Sequence, residues 1–407
     1  MAGCGAAGTA VVEAKGECGQ MLESVLDGNG SAGGNRRNRE KPADSACFAN
    51  RTVGIVGLGL IGGSLARRLV SRGVDVIAWN HRDHPYAQAR ADGIRCMPTL
   101  ASLAQARPDV IVLCNPLKAM PSMLAALAPV IDRDATTLTD VGSVKGMVRE
   151  QVVEAGLTDC YVGAHPMAGN ELSGWSAADP ALYDDALWAV SVDDSTDVAR
   201  FVAVASMILD GVGDRLIVLN DDVHDRAAAL ISHMPHVVAT ALINQLTGDP
   251  DRNIAAALAA GSWRDMTRVA LTDPDRTRAM VEEDAVNVAS LLRSMAARLT
   301  AVADALHGGN GGDGTDGNGG NGMDEDAIAR FFADGQPFRD YKAALRGARP
   351  VSGSAVADGD HAIRSIALEP SRWRDDLLAS ARRGEHVVGL SNTGDAPTAL
   401  VRVYSAM

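Results

Sequence analysis

The 407 residues exceed what one compact core of ordinary size holds, so two or three domains are expected. Apolar residues make up 46% of the chain, and no stretch approaches the roughly 18 uninterrupted apolar residues of a membrane helix. A net charge of -13, from 51 acidic against 38 basic residues, repels phosphate backbones and anionic lipid, so neither nucleic acid nor a membrane is an expected partner.

Six cysteines (Cys4, Cys18, Cys47, Cys96, Cys114 and Cys160) form no C-x-x-C pair and no Cys/His metal spacing, so reduced thiols and no metal are expected. The first 50 residues lack a basic start followed by an apolar core, which points to a cytoplasmic protein.

In chain order, residues 1–49 are rich in Gly, Ala and small polar residues and read as a disordered extension. A dinucleotide-binding domain is expected over 50–215. Its strands are predicted at 52–57, 74–79, 109–114, 136–141, 161–165 and 187–192, with helices around 86–92, 99–106, 118–131, 145–155 and 197–210. Near-continuous apolar strands alternating with amphipathic helices imply an α/β Rossmann-type fold, with a parallel sheet covered on both faces.

The strand signal stops near residue 220. An all-α domain is expected over 216–306, with helices at 221–247, 251–260, 264–271 and 275–306. Residues 307–322 read as a Gly-rich linker, with nine glycines in the 15 residues from Gly308. A small α+β region then runs over 323–407, with helices near 324–333 and 371–383 and strands near 362–368, 386–390 and 398–404.

The first chemical signal is Gly57-Leu58-Gly59-Leu60-Ile61-Gly62, directly after the first strand and opening a helix. One glycine permits the tight turn, one the approach of a pyrophosphate, and one close helix–strand packing, while the helix N-terminus offers free N–H groups. The second strand ends Trp79-Asn80-His81-Arg82, with no carboxylate before Asp83. Asn80 tolerates a ribose phosphate and Arg82 can pair with one, so NADP is favoured over NAD. Asn115, just past the strand at 109–114, completes the expected cofactor-binding set.

Two further motifs fall at strand ends: Asp140-Val141-Gly142-Ser143-Val144-Lys145 and Gly163-Ala164-His165-Pro166-Met167-Ala168-Gly169. Ligands of open α/β sheets bind outside the carboxyl ends of the strands, which puts Ser143 and His165 beside the nicotinamide, His165 as base and Ser143 as its orienting group. In the helical part, Ser232 and His236 are four apart around Pro235, and spacing leaves open whether these histidines are functional or structural. Either Arg264 or Arg268 could bind an acidic substrate or sit in a surface ion pair.

The glycine loop, DVGSVK, GAHPMAGNELSG, the HD…ISHMPH helix and GSWRDMTR occur together and in this order. Over about residues 52–306 the chain therefore resembles the prephenate and arogenate dehydrogenases. That resemblance implies a dinucleotide-binding domain followed by a helical domain that forms a homodimer, with the active site in the cleft between. It implies His165 as the base on the ring hydroxyl, Ser143 between that histidine and the nicotinamide, and Arg268 on the ring carboxylate. His236 is implied to line the pocket, and Glu171, Asp225 and Ser232 to stand at its mouth. The substrate would be prephenate or, with the same residues, arogenate. A β-hydroxyacid dehydrogenase, with a lysine base, and a nucleotide sensor without catalysis are the rival readings.

Overall fold

The computed structural model describes residues 48–307, 323–347, 363–391 and 396–404. The expected disordered extension, apart from a short turn at Phe48–Asn50, and the Gly-rich linker lie outside those residues.

The first sheet is built from β1 (Thr52–Val56), β2 (Asp75–Trp79), β3 (Arg95–Cys96), β4 (Val110–Leu113) and β5 (Thr137–Asp140), in the order β3-β2-β1-β4-β5 and parallel throughout. The helices α1 (Leu60–Ser71), α2 (Tyr86–Ala91), α3 (Leu100–Gln105), α4 (Met120–Leu127) and α5 (Lys145–Glu154) connect them. Continuous apolar strands are explained by two-sided burial. Val53, Ile55, Val110 and Val112 face a core with Leu65 and Leu69 of α1. Val56, Ile77, Ile111 and Leu113 face the opposite core, with Leu103, Leu124 and Val148.

The sheet does not stay parallel. A bridge from Leu138 to Tyr161 leads to β6 (Gly163–Pro166), and β7 (Leu187–Ser191) runs antiparallel to β6. After α6 (Val198–Ser206) comes β8 (Arg215–Leu219), parallel to β7. This strand straddles the domain boundary expected between 215 and 216 and moves it to about residue 220. Its RLIVL run, apolar at four of five positions, carries the strand signal in the sequence.

The helical part comprises α7 (Asp221–Ala228), α8 (Met234–Gly248), α9 (Arg252–Leu258), α10 (Gly261–Thr267), α11 (Pro274–Glu283) and α12 (Ala285–Leu306). A π-helical turn at Ala229–His233 joins α7 to α8 without a break. That 28-residue run has the length and mean hydropathy, 1.3, of a membrane span, yet its start is bonded to α5 and its later part packs on α10, α11 and α12. The single helix expected at 275–306 is split at Asp284.

The C-terminal region divides between the two domains. The helices α13 (Glu325–Ala333) and α14 (Gln336–Gly347) follow α12, and α13 packs against it. By contrast, β9 (Arg364–Ala367), α15 (Trp373–Arg382), β10 (Glu385–Ser391) and β11 (Thr398–Val403) extend the second sheet to the order β6-β7-β8-β10-β11-β9. Trp373 of α15 lies 4.7 Å from Phe201 of α6, ring to ring, and Ile366, Val387 and Val401 share the core of the nucleotide-binding domain. The tail thus caps the far edge of that sheet, where β8 would otherwise stand unpaired on one side.

Candidate active site

The glycine loop sits at the carboxyl end of β1. Gly57 has φ +105°, and a Cβ there would lie 2.9 Å from the carbonyl oxygen of Cys114 on the neighbouring strand. At Gly62 a Cβ would reach within 2.0 Å of the Gly57 oxygen. Added at Gly59, it would meet nothing within 4 Å. Two glycines are therefore demanded by the fold and the third opens on space, the arrangement that lets a pyrophosphate lie against the backbone.

Gly59 has no side chain to cap α1, so the first amides of a 12-residue helix point out of the loop. Beside them, the Asn115 Oδ1 is buried without a hydrogen-bond partner, while its Nδ2 bonds the Pro116 oxygen. Uncapped amides, an open glycine and an orphaned amide oxygen together fit a dinucleotide.

Asn80 has a different place from the one its spacing suggests. Its Oδ1 accepts from the Leu58 N–H at 2.8 Å and its Nδ2 donates to the Arg82 oxygen at 2.7 Å, so the side chain braces the glycine loop and keeps one N–H of its Nδ2 for a ribose. His81 and Arg82 remain exposed at the strand end, and among the described residues the Arg82 guanidinium has no ion-pair partner.

His165 projects from β6 at the same edge of the sheet. Its Nδ1 lies 2.9 Å from Nε2 of His224 on α7, and the His224 Nδ1 lies 2.8 Å from Asp225 Oδ1. Asp225 also accepts from the main-chain N–H groups of Lys145 (2.7 Å) and Gly146 (2.9 Å) at the start of α5. Burial alone would raise the Asp225 pKa, but the bonds from His224 and these two amides hold it below the ordinary carboxylate value. Asp225 is thus an anion, which can only accept. With a neutral His224 the order of protons follows: His224 carries its proton on Nδ1 and accepts on Nε2, and His165 carries its own on Nδ1. His165 Nε2 is then left unprotonated, and among the described residues it has no hydrogen-bond partner.

Burial, then the charges of His224, Lys145 and His233, push the His165 pKa well below that of a free imidazole. It is a neutral base at physiological pH.

Beneath it lies a fully buried ion pair. Lys145 Nζ bonds the Asp140 carboxylate and, at 2.8 Å, the oxygen of Ala164, the residue before His165. Tyr161 OH donates to the other Asp140 oxygen at 2.8 Å. Burial lowers the Lys145 pKa, and the adjacent Asp140 restores part of it. The strand turn carrying His165 is therefore held from below by a charge pair that has no access to water.

Sequence reasoning placed Asp225 at a pocket mouth. The structure corrects this: Asp225 is 7% exposed, behind His224, and two residues stand between it and the cleft. His224 and Lys145 were named in motifs but not as site residues. The signal that could have found them is an ionisable pair, HD, on a helix directly after the sheet. Ser143 sits half-buried in the loop before α5 and makes no hydrogen bond to His165.

On the helical side, His233 is fully buried, bonded through Nδ1 to Asp284 at 2.8 Å, with Nε2 unpartnered. His236, one turn on, is half-buried. Burial, then the charges of His233, Arg268 and Arg276, lower its pKa against the opposing pull of the Val269 carbonyl. The charge of His233 acts on both His165 and His236, and that of Arg268 on His236. Arg268 and Glu171 are exposed and Ser232 is half-buried, each without a side-chain bond among the described residues. Arg276 Nη1 reaches across to the Leu172 oxygen in the loop after β6, at 2.9 Å.

Residues 65–218 match the family model "Prephenate dehydrogenase, nucleotide-binding domain", and residues 220–313 match "Prephenate dehydrogenase, dimerization domain". The chain belongs to the prephenate dehydrogenase family. The second match begins one residue after β8 ends, in agreement with the observed boundary rather than the expected one. A cyclohexadienyl dehydrogenase of Zymomonas mobilis is 30% identical over 62% of this chain and 88% of its own length. A prephenate dehydrogenase of Lactococcus lactis is 27% identical over 73% of this chain and 78% of its own. Among solved structures, a putative prephenate dehydrogenase of Corynebacterium glutamicum is similar at 30% identity and TM-score 0.64, covering 81% of this chain and 96% of that one. As a member of the family, the chain is an NAD(P)-dependent oxidoreductase with a small-molecule substrate.

Proposed function

We propose that the chain oxidatively decarboxylates prephenate to 4-hydroxyphenylpyruvate in tyrosine biosynthesis, with NADP preferred over NAD. The observation that carries the reading is the unpartnered Nε2 of neutral His165, set at the sheet edge that also bears the Gly57–Gly62 loop.

The nicotinamide, when bound, supplies a hydride acceptor. His165 Nε2 takes the proton of the hydroxyl on ring C4 as the C4–H bond gives up its hydride. The ketone character developing at C4 draws the electron pair of the bond to the ring carboxylate, CO₂ leaves, and the ring becomes aromatic. Arg268 offers a planar guanidinium to that carboxylate, with His236, Ser232 and Glu171 around the side chain. The protein's work is orientation and charge neutralisation, because aromatisation supplies the driving force.

The preference for NADP rests on the free, exposed Arg82 and on the absence of a carboxylate at the end of β2. Dimer formation through the helical domain is supported by the family match and by apolar side chains left in water there, including Leu258 at 76% and Val286 at 85% exposure. A second reading, arogenate as substrate, is favoured by similarity to the arogenate dehydrogenase of Synechocystis, 25% identical at TM-score 0.60. Reduced-nicotinamide absorbance, followed with prephenate and arogenate against NADP and NAD, tests both readings. Turnover of neither substrate with either cofactor would overturn them.

A further inference from the structure

The base at the sheet edge is not alone, and its partner raises a question of charge. Once His165 Nε2 has taken a proton, an imidazolium would stand half-buried above the Lys145 ammonium, with no carboxylate bonded to it among the described residues. Lys145's counter-ion, Asp140, is already bonded to Lys145, Tyr161 and the Gly142 amide. The nearest group able to hold positive charge against an anion is His224, whose Nδ1 faces Asp225 at 2.8 Å.

Resting on the dehydrogenase reading above, we propose that His224, backed by Asp225, is a positioning residue that fixes His165 as its Nδ1–H tautomer and receives that Nδ1 proton as Nε2 is protonated. The balance is simple. The substrate O–H bond breaks as the His165 Nε2–H bond forms. The His165 Nδ1–H bond breaks as the His224 Nε2–H bond forms. His165 ends neutral, and the charge rests on His224 against the Asp225 carboxylate, which is itself tied to the Lys145 and Gly146 amides. The groups facing this pair are Asp225 on α7, Lys145 with Asp140 below, and His233 with Asp284 from the helical side.

The arrangement also spans the two domains. His165 belongs to the sheet, His224 and Asp225 to the first helix after it, and Asp225 returns to the start of α5. The base is therefore correctly protonated only while α7 is seated on α5.

Two variants separate the parts. His224→Phe removes both the acceptor and the proton site. His224→Gln keeps an acceptor for the His165 N–H but cannot take its proton. We expect kcat to fall about 100-fold in the first and at least about 10-fold in the second, with substrate KM and cofactor Kd each within about 3-fold of wild type, as for loss of an orienting group behind a catalytic histidine. Wild-type turnover in His224→Phe would overturn the proposal, and wild-type turnover in His224→Gln would overturn the proton-receiving half. Histidine nitrogen NMR of the full-length protein gives a readout that needs no substrate: His165 should be protonated on Nδ1 and bare on Nε2. The opposite tautomer would sink the relay even if prephenate proves to be the substrate. Conversely, the expected tautomer without turnover of prephenate or arogenate would overturn the function and leave the relay standing.

Discussion

The two halves of the site are built to different standards. On the sheet side, half-buried His165 is joined to buried His224, Asp225, Lys145 and Asp140 in a continuous network. On the side meant for substrate, Arg268 of α10's end and Glu171 of the loop after β6 stand in water and Ser232 is half-covered, all without side-chain bonds among the described residues. A base must be held in one tautomer and one orientation before substrate arrives, and burial with hydrogen bonds achieves that. A carboxylate clamp gains its partner from the substrate itself, so it can wait in solvent. Damage to the first half should therefore appear in kcat or in stability, and damage to the second in KM.

The largest expected effect is on the chemical step. His165→Asn should cut turnover by about two to four decades while leaving cofactor affinity intact, measured by steady-state rates and nucleotide titration. Near-normal turnover would remove the base from His165. The pH profile has a definite sign. Protonation abolishes the base, and the His165 pKa is displaced downward, first by burial and then by neighbouring charges, so activity should hold as pH falls past 6.5 and decline only well below it.

Next comes Lys145→Met, which leaves the buried Asp140 without its counter-ion. Loss of one partner of such a pair costs about 3–5 kcal/mol, so denaturant unfolding should show the variant as strongly destabilised. A loss under about 1 kcal/mol would mean that Tyr161 and the Gly142 amide satisfy Asp140 unaided. On the helical side, Arg268→Ala should raise the substrate KM about 10- to 100-fold with a smaller change in kcat. Equal losses in both would place Arg268 in the network that orients the base and erase the contrast between the halves.

Legibility follows the same division. The glycine loop, strands β1, β2 and β4 and the strand position of His165 are readable because turn geometry and two-sided burial leave a local imprint: Gly57 needs its positive φ, and the neighbours Ile55 and Val56 pack into opposite cores. Asp225 was misplaced because its bonds run to Lys145 and Gly146, about 80 residues away, and no local pattern carries such a contact. In the tail, α13, α15 and β9–β11 match the expected elements, whereas α14 was not expected and the docking was not located, since Trp373 finds Phe201 across a gap in sequence that periodicity does not span. The split at Asp284 escaped for a related reason: that residue leaves the helix to bond His233.

The smallest expected effect concerns the cofactor, and it tests whether the edge of the sheet half is as preorganised as its centre. Asn80 is bonded to Leu58 and the Arg82 backbone, and the proposed preference for NADP rests on the exposed Arg82 side chain beside it. An exposed guanidinium with no bonded partner gains less from a phosphate than a braced one, because it gives up rotamer freedom on binding. Arg82→Ser should therefore raise the KM for NADP by only about 10-fold and leave that for NAD within about 2-fold. Asn80→Asp should act more broadly, since its Oδ1 position still accepts from Leu58 while the added charge opposes a 2′-phosphate and its lost Nδ2 frees the Arg82 carbonyl. An Arg82→Ser enzyme with an unchanged NADP constant would show that the exposed strand end plays no part in choosing the cofactor.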